Sequence, residues 1–138
     1  MLSRTCLVVD DEPSVRAYIK AIVTRSEFET LQAEGGVNAL RLAEELGERL
    51  DLIVSDIEMP DGDGLTFVRS ARMFLPTVPI VLISGSNNFD PANRPAGFCE
   101  FLPKPFSPRM LVEAIDRATQ GVDQGAKDRL RTNRPLTS

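Results

Sequence analysis

The sequence predicts an α/β protein in which five short strands form one parallel, doubly wound sheet with helices on both faces. Short apolar runs alternate along the chain with segments whose apolar residues recur at helical spacing. Such runs are typical of parallel strands that are buried on both faces. The 138 residues suffice for one domain with a substantial core. Because crossovers between parallel strands are right-handed, few topologies remain.

Five segments are predicted as strands. Cys6–Val9, Leu52–Ser55 and Ile80–Ile83 are apolar almost throughout, as buried central strands are. Glu29–Ala33 has a mixed composition that favours an edge strand, and Phe98–Leu102 is the fifth candidate.

Helices are predicted in the intervals between the strands. The first begins at Pro13, because the first turn of a helix tolerates a residue without an N–H, and it continues to Val23. The apolar faces of the second, third and C-terminal helices are Val37, Leu40, Ala43 and Leu46; Leu65, Val68, Ala71 and Leu75; and Leu111, Ala114, Ile115 and Ala118. Between the fourth and fifth strands, Pro91 and Pro95 predict that the fourth helix is short or irregular.

Composition excludes several classes of function. Hydrophobic residues make up 42% and charged residues 26% of the chain, which fits a globular protein rather than wholesale disorder. The net charge of −4 gives no electrostatic reason to expect nucleic-acid binding. The chain contains no His, which excludes catalysis and metal binding by its own His. Cys6 and Cys99 match no metal or redox spacing and are predicted to be core thiols in a reducing cytoplasm.

No second domain is predicted. Apolar runs fall short of the roughly 20 residues that span a bilayer, and the N-terminus has no signal-peptide anatomy, so we expect a cytoplasmic protein without a membrane segment. Residues 1–120 are expected to form the domain. Residues 121–138 are polar and are expected to form a disordered tail.

Polar side chains follow four of the predicted strands. Asp10 and Asp11 follow the first strand, Asp56 the third, Ser84 the fourth and Lys104 the fifth. With strand order 2-1-3-4-5, these four strands are adjacent, and the winding reverses between strands one and three. The sequence therefore predicts that these side chains converge on one crevice.

These residue types suit phosphoryl chemistry that depends on a divalent cation. Mg²⁺ prefers oxygen ligands, so Asp11 and Asp56 are predicted direct ligands, Asp10 a ligand through water, and the Glu58 backbone carbonyl a further ligand. The Asp56 carboxylate could attack phosphorus. Lys104 could neutralise phosphate oxygens, and the Ser84 hydroxyl could donate a hydrogen bond to one of them.

Four motifs in this order resemble the receiver domain of bacterial two-component response regulators. They are Val8–Pro13, Asp56–Gly64, Ser84–Ser86 and Phe101–Phe106, and the resemblance covers roughly residues 4–120. It implies a flavodoxin-like (βα)5 fold with strand order 2-1-3-4-5 and dependence on Mg²⁺. It further implies phosphorylation of Asp56 by a sensor histidine kinase or a histidine phosphotransfer protein.

The resemblance also implies roles for residues around the acceptor. Ser84 and Phe101 would reorient together on phosphorylation, and Glu58 and Ser86 occupy positions that tune phosphate lifetime. Lys104-Pro105 would be a cis peptide. The chain departs from the family in having Ser84 where Thr is more common, and Phe101 in place of the common Tyr.

Alternatives remain open at this stage. The chain could be a receiver fragment of a longer regulator or hybrid kinase, a metal-dependent phosphohydrolase with Asp56 as nucleophile, or an interaction scaffold that is never phosphorylated. The receiver hypothesis predicts no enzyme activity beyond self-phosphorylation and autodephosphorylation. A homodimer is possible, and the output partner, the cognate kinase and the oligomeric state are not readable from the sequence.

Overall fold

The computed structural model describes residues 3–59, 64–85 and 99–120. Their helices and strands, in chain order, are β1 (Arg4–Val9), α1 (Pro13–Arg25), β2 (Phe28–Ala33), α2 (Gly36–Leu46), β3 (Leu52–Asp56), α3 (Gly64–Phe74), β4 (Ile80–Ser84), β5 (Cys99–Pro103) and a C-terminal helix over residues 108–120. A single 3-10 turn, Gly47–Arg49, follows α2.

The five strands form one parallel sheet in the order β2-β1-β3-β4-β5. This order confirms the predicted fold, including the edge position of β2. The winding reverses between β1 and β3, where Val9 lies opposite Ser55. In such sheets the crevice for ligands lies beyond the carboxyl ends of the strands at this point.

The core lies on both faces of the sheet, as near-continuous apolar strands require. Because side chains alternate along a strand, Leu7 and Val9 pack with α2 and α3, whereas Cys6 and Val8 pack with α1 and the C-terminal helix. Cys6 and Cys99 are both buried and free, which confirms their assignment as core thiols. Burial strongly raises the pKa of the Cys6 thiol, so it stays protonated.

The helix boundaries follow local signals in the sequence. Pro13 occupies the first turn of α1, and α2 ends at Gly47, whose φ of 55° lies in the left-handed region that favours glycine. Val37 was predicted on the buried face of α2 but is 72% exposed. It precedes the buried Ala39 by two residues, which is about 200° around a helix, so the two side chains point in opposite directions.

A buried arginine connects α3 to the strand that follows it. The Arg72 guanidinium, 9% exposed, donates from Nη1 to the carbonyls of Leu75 at 3.0 Å and Val78 at 2.6 Å. Burial lowers the pKa of Arg72. These bonds satisfy carbonyls in the turn between α3 and β4, so they fix where β4 begins.

Two expectations fall outside the described residues: the short or irregular fourth helix over 86–97, and the tail over 121–138. Phe98, the first residue of the predicted fifth strand, also lies outside them, and β5 as described runs one residue further, to Pro103. Among the described helices, none has the length and apolar character needed to cross a membrane.

Candidate functional site

The carboxyl ends of four strands place the predicted polar residues at one edge of the sheet. Backbone pairing continues past the strand ends, because the amide of Asp10 donates to Ala33 at 3.2 Å and that of Lys104 donates to Ser84 at 2.8 Å. The amide of Ile57 donates to Ile83 at 2.9 Å in the same way. The backbone that carries the site is therefore held by the sheet itself.

Three acids form a cluster at this edge. Asp10, Asp11 and Asp56 each offer one carboxylate oxygen, and these three oxygens lie within 4.8 Å of one another. Asp10 and Asp56 are buried and Asp11 is half-buried. The convergence predicted from the strand order is thus present for these acids.

Burial gives two of the acids unusual affinity for protons. It raises the pKa of Asp56 to about 6; the neighbouring Asp10 and Glu58 carboxylates raise it as well, and the Lys104 ammonium opposes the rise. The pKa of Asp10 is also raised, chiefly by burial. Both shifts mean that the negative charges are incompletely compensated by the protein.

A divalent cation fits this arrangement of oxygens. Oδ1 of Asp10 accepts a hydrogen bond from the Glu12 amide at 2.9 Å. Within the part of the chain that the structure describes, Oδ2 of Asp10 is a buried oxygen without a hydrogen-bond partner. A buried carboxylate oxygen without a partner, next to two further carboxylates, is the donor set that Mg²⁺ takes.

Lys104 places a positive charge in contact with Asp56. Its Nζ lies 3.4 Å from Asp56 Oδ2, and its side chain is 31% exposed while that of Asp56 is 4% exposed. The Lys104-Pro105 peptide is cis, as the family resemblance implied. Tyr18 of α1 donates its hydroxyl to the Phe106 carbonyl at 3.3 Å, and the two rings lie 5.8 Å apart. These contacts tie the segment after β5 to α1.

Ser84 and Glu58 are joined to each other across the gap between β3 and β4. The Ser84 hydroxyl donates to Glu58 Oε1 at 2.8 Å, and the Gly85 amide lies 3.4 Å from Glu58 Oε2. The Glu58 amide in turn donates to Asp56 Oδ1 at 3.3 Å. The sequence predicted a role for the Glu58 backbone carbonyl, but the contact made by its carboxylate was not foreseen.

Two further residues near the acids were not singled out from the sequence. Arg16 of α1 donates from Nη1 to the Asp10 carbonyl at 2.8 Å and so braces the turn that carries Asp10 and Asp11. Gly64 donates its amide to the Ile57 carbonyl at 2.7 Å, and its α-carbon lies so close to the Asp56 carbonyl that a Cβ would overlap it. Spacing of residue types signals neither contact, because both involve backbone atoms.

The remaining predicted residues lie around this centre. Phe101 of β5 is half-buried and packs against the core on the α2 and α3 face. Ser86 lies outside the described residues. The described site therefore consists of the three acids, Lys104, and the pair formed by Ser84 and Glu58.

Comparison with known proteins agrees with this fold. The model of the response regulator receiver domain matches residues 6–116. The chain is 36% identical over 124 residues to the sensor kinase CckA of Brucella abortus. This match covers 88% of this chain but 13% of the kinase. It is 32% identical over 120 residues to the transcriptional regulator NtrC of Azospirillum brasilense, covering 86% of this chain and 24% of the regulator. The crystal structure of the receiver domain of the hybrid histidine kinase CckA superposes with a TM-score of 0.71 at 34% identity, covering 83% of this chain and 98% of that domain.

The chain belongs to the response regulator receiver domain family. Receiver domains are phospho-acceptor signalling modules of two-component systems and bind Mg²⁺ at an acidic pocket, which favours this function over a phosphohydrolase. The chain spans only a small part of the curated relatives described above, 13% of the sensor kinase and 24% of the regulator.

Proposed function

We propose that Asp56 is the residue of this chain that accepts the phosphoryl group. Nζ of Lys104 lies 3.4 Å from Oδ2 of Asp56, which places a positive charge where phosphate oxygens would gather. This contact is the observation that carries the proposal. Asp10 has one oxygen engaged by the Glu12 amide and an unpartnered oxygen suited to a cation.

A carboxylate has no proton to lose when it attacks phosphorus, so the transfer needs no general base. A carboxylate oxygen of Asp56 forms a bond to phosphorus while the bond from phosphorus to a donor histidine nitrogen breaks, and the electron pair stays on that nitrogen, which takes a proton from water. Catalysis then depends on positioning and on compensating charge. Lys104 supplies fixed positive charge, and Asp10 and Asp11 would help to hold a cation.

Mg²⁺, when bound, would neutralise charge on the transferring phosphoryl group and on the acids around it. Asp11 and Asp56 would be direct ligands and Asp10 would act through water. The Glu58 backbone carbonyl would be the remaining ligand from the protein. The mutual approach of the three carboxylates within 4.8 Å supports this set.

Phosphorylation would then change the surface through Ser84 and Phe101. A phosphoryl group adds negative charge and strong acceptor oxygens, which attract the Ser84 hydroxyl. Phe101 lies on β5, next to β4, and is half-buried, so it can move with Ser84. Glu58 and Ser86 would set the lifetime of the phosphoryl group.

The donor we propose is a sensor histidine kinase or a histidine phosphotransfer protein. The match to segments of a sensor kinase and of a transcriptional regulator supports this partner class, and it leaves two settings for the domain. The chain works either by itself or as the receiver part of a longer regulator or hybrid kinase.

The acceptor can be tested with the single substitution Asp56→Asn. Incubation with acetyl phosphate and Mg²⁺ should add one phosphoryl group to the wild-type protein, as measured by intact-protein mass spectrometry, and none to the variant. The matched control is Asp116→Asn, which removes an exposed carboxylate on the C-terminal helix and should leave labelling unchanged. Undiminished labelling of the Asp56→Asn protein would contradict the assignment.

A further inference from the structure

The Glu58 carboxylate accepts the hydrogen bond of the Ser84 hydroxyl, which in the proposed switch would donate to the phosphoryl group on Asp56. Ser84 donates to Glu58 Oε1 at 2.8 Å, and the Gly85 amide, 3.4 Å from Oε2, helps to hold the same carboxylate. A serine hydroxyl has one proton to donate. The hydroxyl therefore has to leave Glu58 before it can donate to a phosphoryl oxygen on Asp56.

The position of Glu58 makes this exchange chemically reasonable. Its amide contacts Asp56 Oδ1 at 3.3 Å, and its carboxylate acts electrostatically on Asp56. A phosphoryl group on Asp56 would bring more negative charge next to the Glu58 carboxylate, and like charges at this separation repel. Glu58 is exposed, whereas Ser84 and Asp56 are buried, so Glu58 is the member of the group with free space to move into.

We infer that Glu58 is a positioning residue that holds Ser84 in the unswitched conformation and competes with the phosphoryl group for its hydroxyl. This inference rests on the proposed function of Asp56. It differs from a role in phosphate lifetime, since it concerns the equilibrium between two conformations and not the rate of hydrolysis. Glu58 thereby determines how far occupancy of the Asp56 site shifts Ser84 to its switched conformation.

The inference predicts tighter binding of a phosphoryl mimic when the competing carboxylate is removed. With Mg²⁺ at saturation, Glu58→Ala should lower the Kd for beryllofluoride by about three- to tenfold, because one net hydrogen bond corresponds to about fivefold in an equilibrium constant. Glu58→Gln should give an intermediate Kd, because its amide oxygen still accepts from Ser84 without the charge.

Glu12→Gln is the matched control for loss of charge. The Glu12 carboxylate acts electrostatically on Asp10, and its side chain does not cap α1, whereas the carboxylate that accepts from Ser84 is that of Glu58. This variant should change the Kd by less than Glu58→Ala does. Circular dichroism and thermal unfolding of each variant would establish that all of them are folded.

A double-mutant cycle with Ser84→Ala distinguishes loss of the Ser84–Glu58 hydrogen bond from loss of the Glu58 charge alone. In the Ser84→Ala background, Glu58→Ala should lower the Kd by no more than Glu58→Gln does, because only the loss of charge then remains. An effect of full size in that background would overturn the inference, as would equal effects of Glu58→Ala and Glu12→Gln on the otherwise wild-type protein. Failure of the wild-type protein to bind beryllofluoride with Mg²⁺ would instead overturn the proposed function.

Discussion

Asp56 and Asp10 show how burial of carboxylates near one another raises their affinity for protons. The pKa of Asp56 is raised to about 6, first by burial, and the pKa of Asp10 is raised for the same reason. In the absence of metal, the folded protein therefore holds protons between about pH 4 and pH 6 that the unfolded chain has released. Its stability falls as the pH rises through this window.

Asp56→Asn should consequently stabilise the metal-free protein at neutral pH. We expect a gain of about 1–2 kcal/mol above pH 7, less than the full pKa shift implies because the site is partly screened, shrinking towards zero at pH 4. Urea unfolding with a chelator, across pH 4 to 8, measures the difference from wild type, with Asp116→Asn as control. A gap that stays constant with pH would contradict the assigned cause.

The residues of the site differ in how far the sequence could predict them. Asp10, Asp56, Ser84 and Lys104 were predictable because parallel strands bring their carboxyl ends to one edge. The bond from Ser84 to Glu58 was not, because it depends on a side-chain rotamer that spacing does not encode. Arg16 was missed because it recognises the Asp10 backbone carbonyl, which every residue possesses.

At the scale of helices and strands, the type and order of the elements followed from apolar periodicity. Strand ends moved by one or two residues, and Asp56 and Ser84 proved to be the last residues of β3 and β4 instead of the residues after them. Val37 was placed on the wrong face of α2 because an apolar residue near a helix terminus still fits the expected spacing. Burial there is decided by the neighbouring elements, which the sequence does not show.

The connection from α3 to β4 should depend on Arg72. Arg72→Met keeps much of the apolar volume but leaves the Leu75 and Val78 carbonyls without their charged donor, so we expect a loss of about 1–3 kcal/mol in the free energy of unfolding. Arg41→Met, on the exposed side of α2, should change it by less than about 0.5 kcal/mol. Chemical denaturation of both variants measures this contrast, and equal losses would contradict it.

For the whole molecule, the acids couple the site to global stability. They come from the ends of β1 and β3, two neighbouring strands in the middle of the sheet, so a ligand that binds them together binds only the folded chain. Binding of this kind stabilises the folded state by mass action. With the proposed cation site, metal binding at this edge would be linked to folding.

Mg²⁺ should therefore raise the unfolding midpoint of the wild-type protein at pH 7.5. At a hundredfold excess over its Kd, the expected gain is about 2.7 kcal/mol. Asp11→Asn should lose most of this gain, whereas Asp116→Asn should keep it. Thermal unfolding with and without Mg²⁺ provides the test, and an equal gain in all three proteins would show that the cation acts elsewhere.

The close approach of Gly64 to the Asp56 carbonyl also limits which mutations position 64 tolerates. Any side chain at position 64 would have to displace the main chain of Asp56, the proposed acceptor, and main chain held in the middle of a sheet moves only at high cost. A single-nucleotide change in that codon is therefore expected to damage the proposed acceptor site without replacing an acid. In a family tree, a relative that lacks glycine at this position should carry a β3-to-α3 connection with a different path.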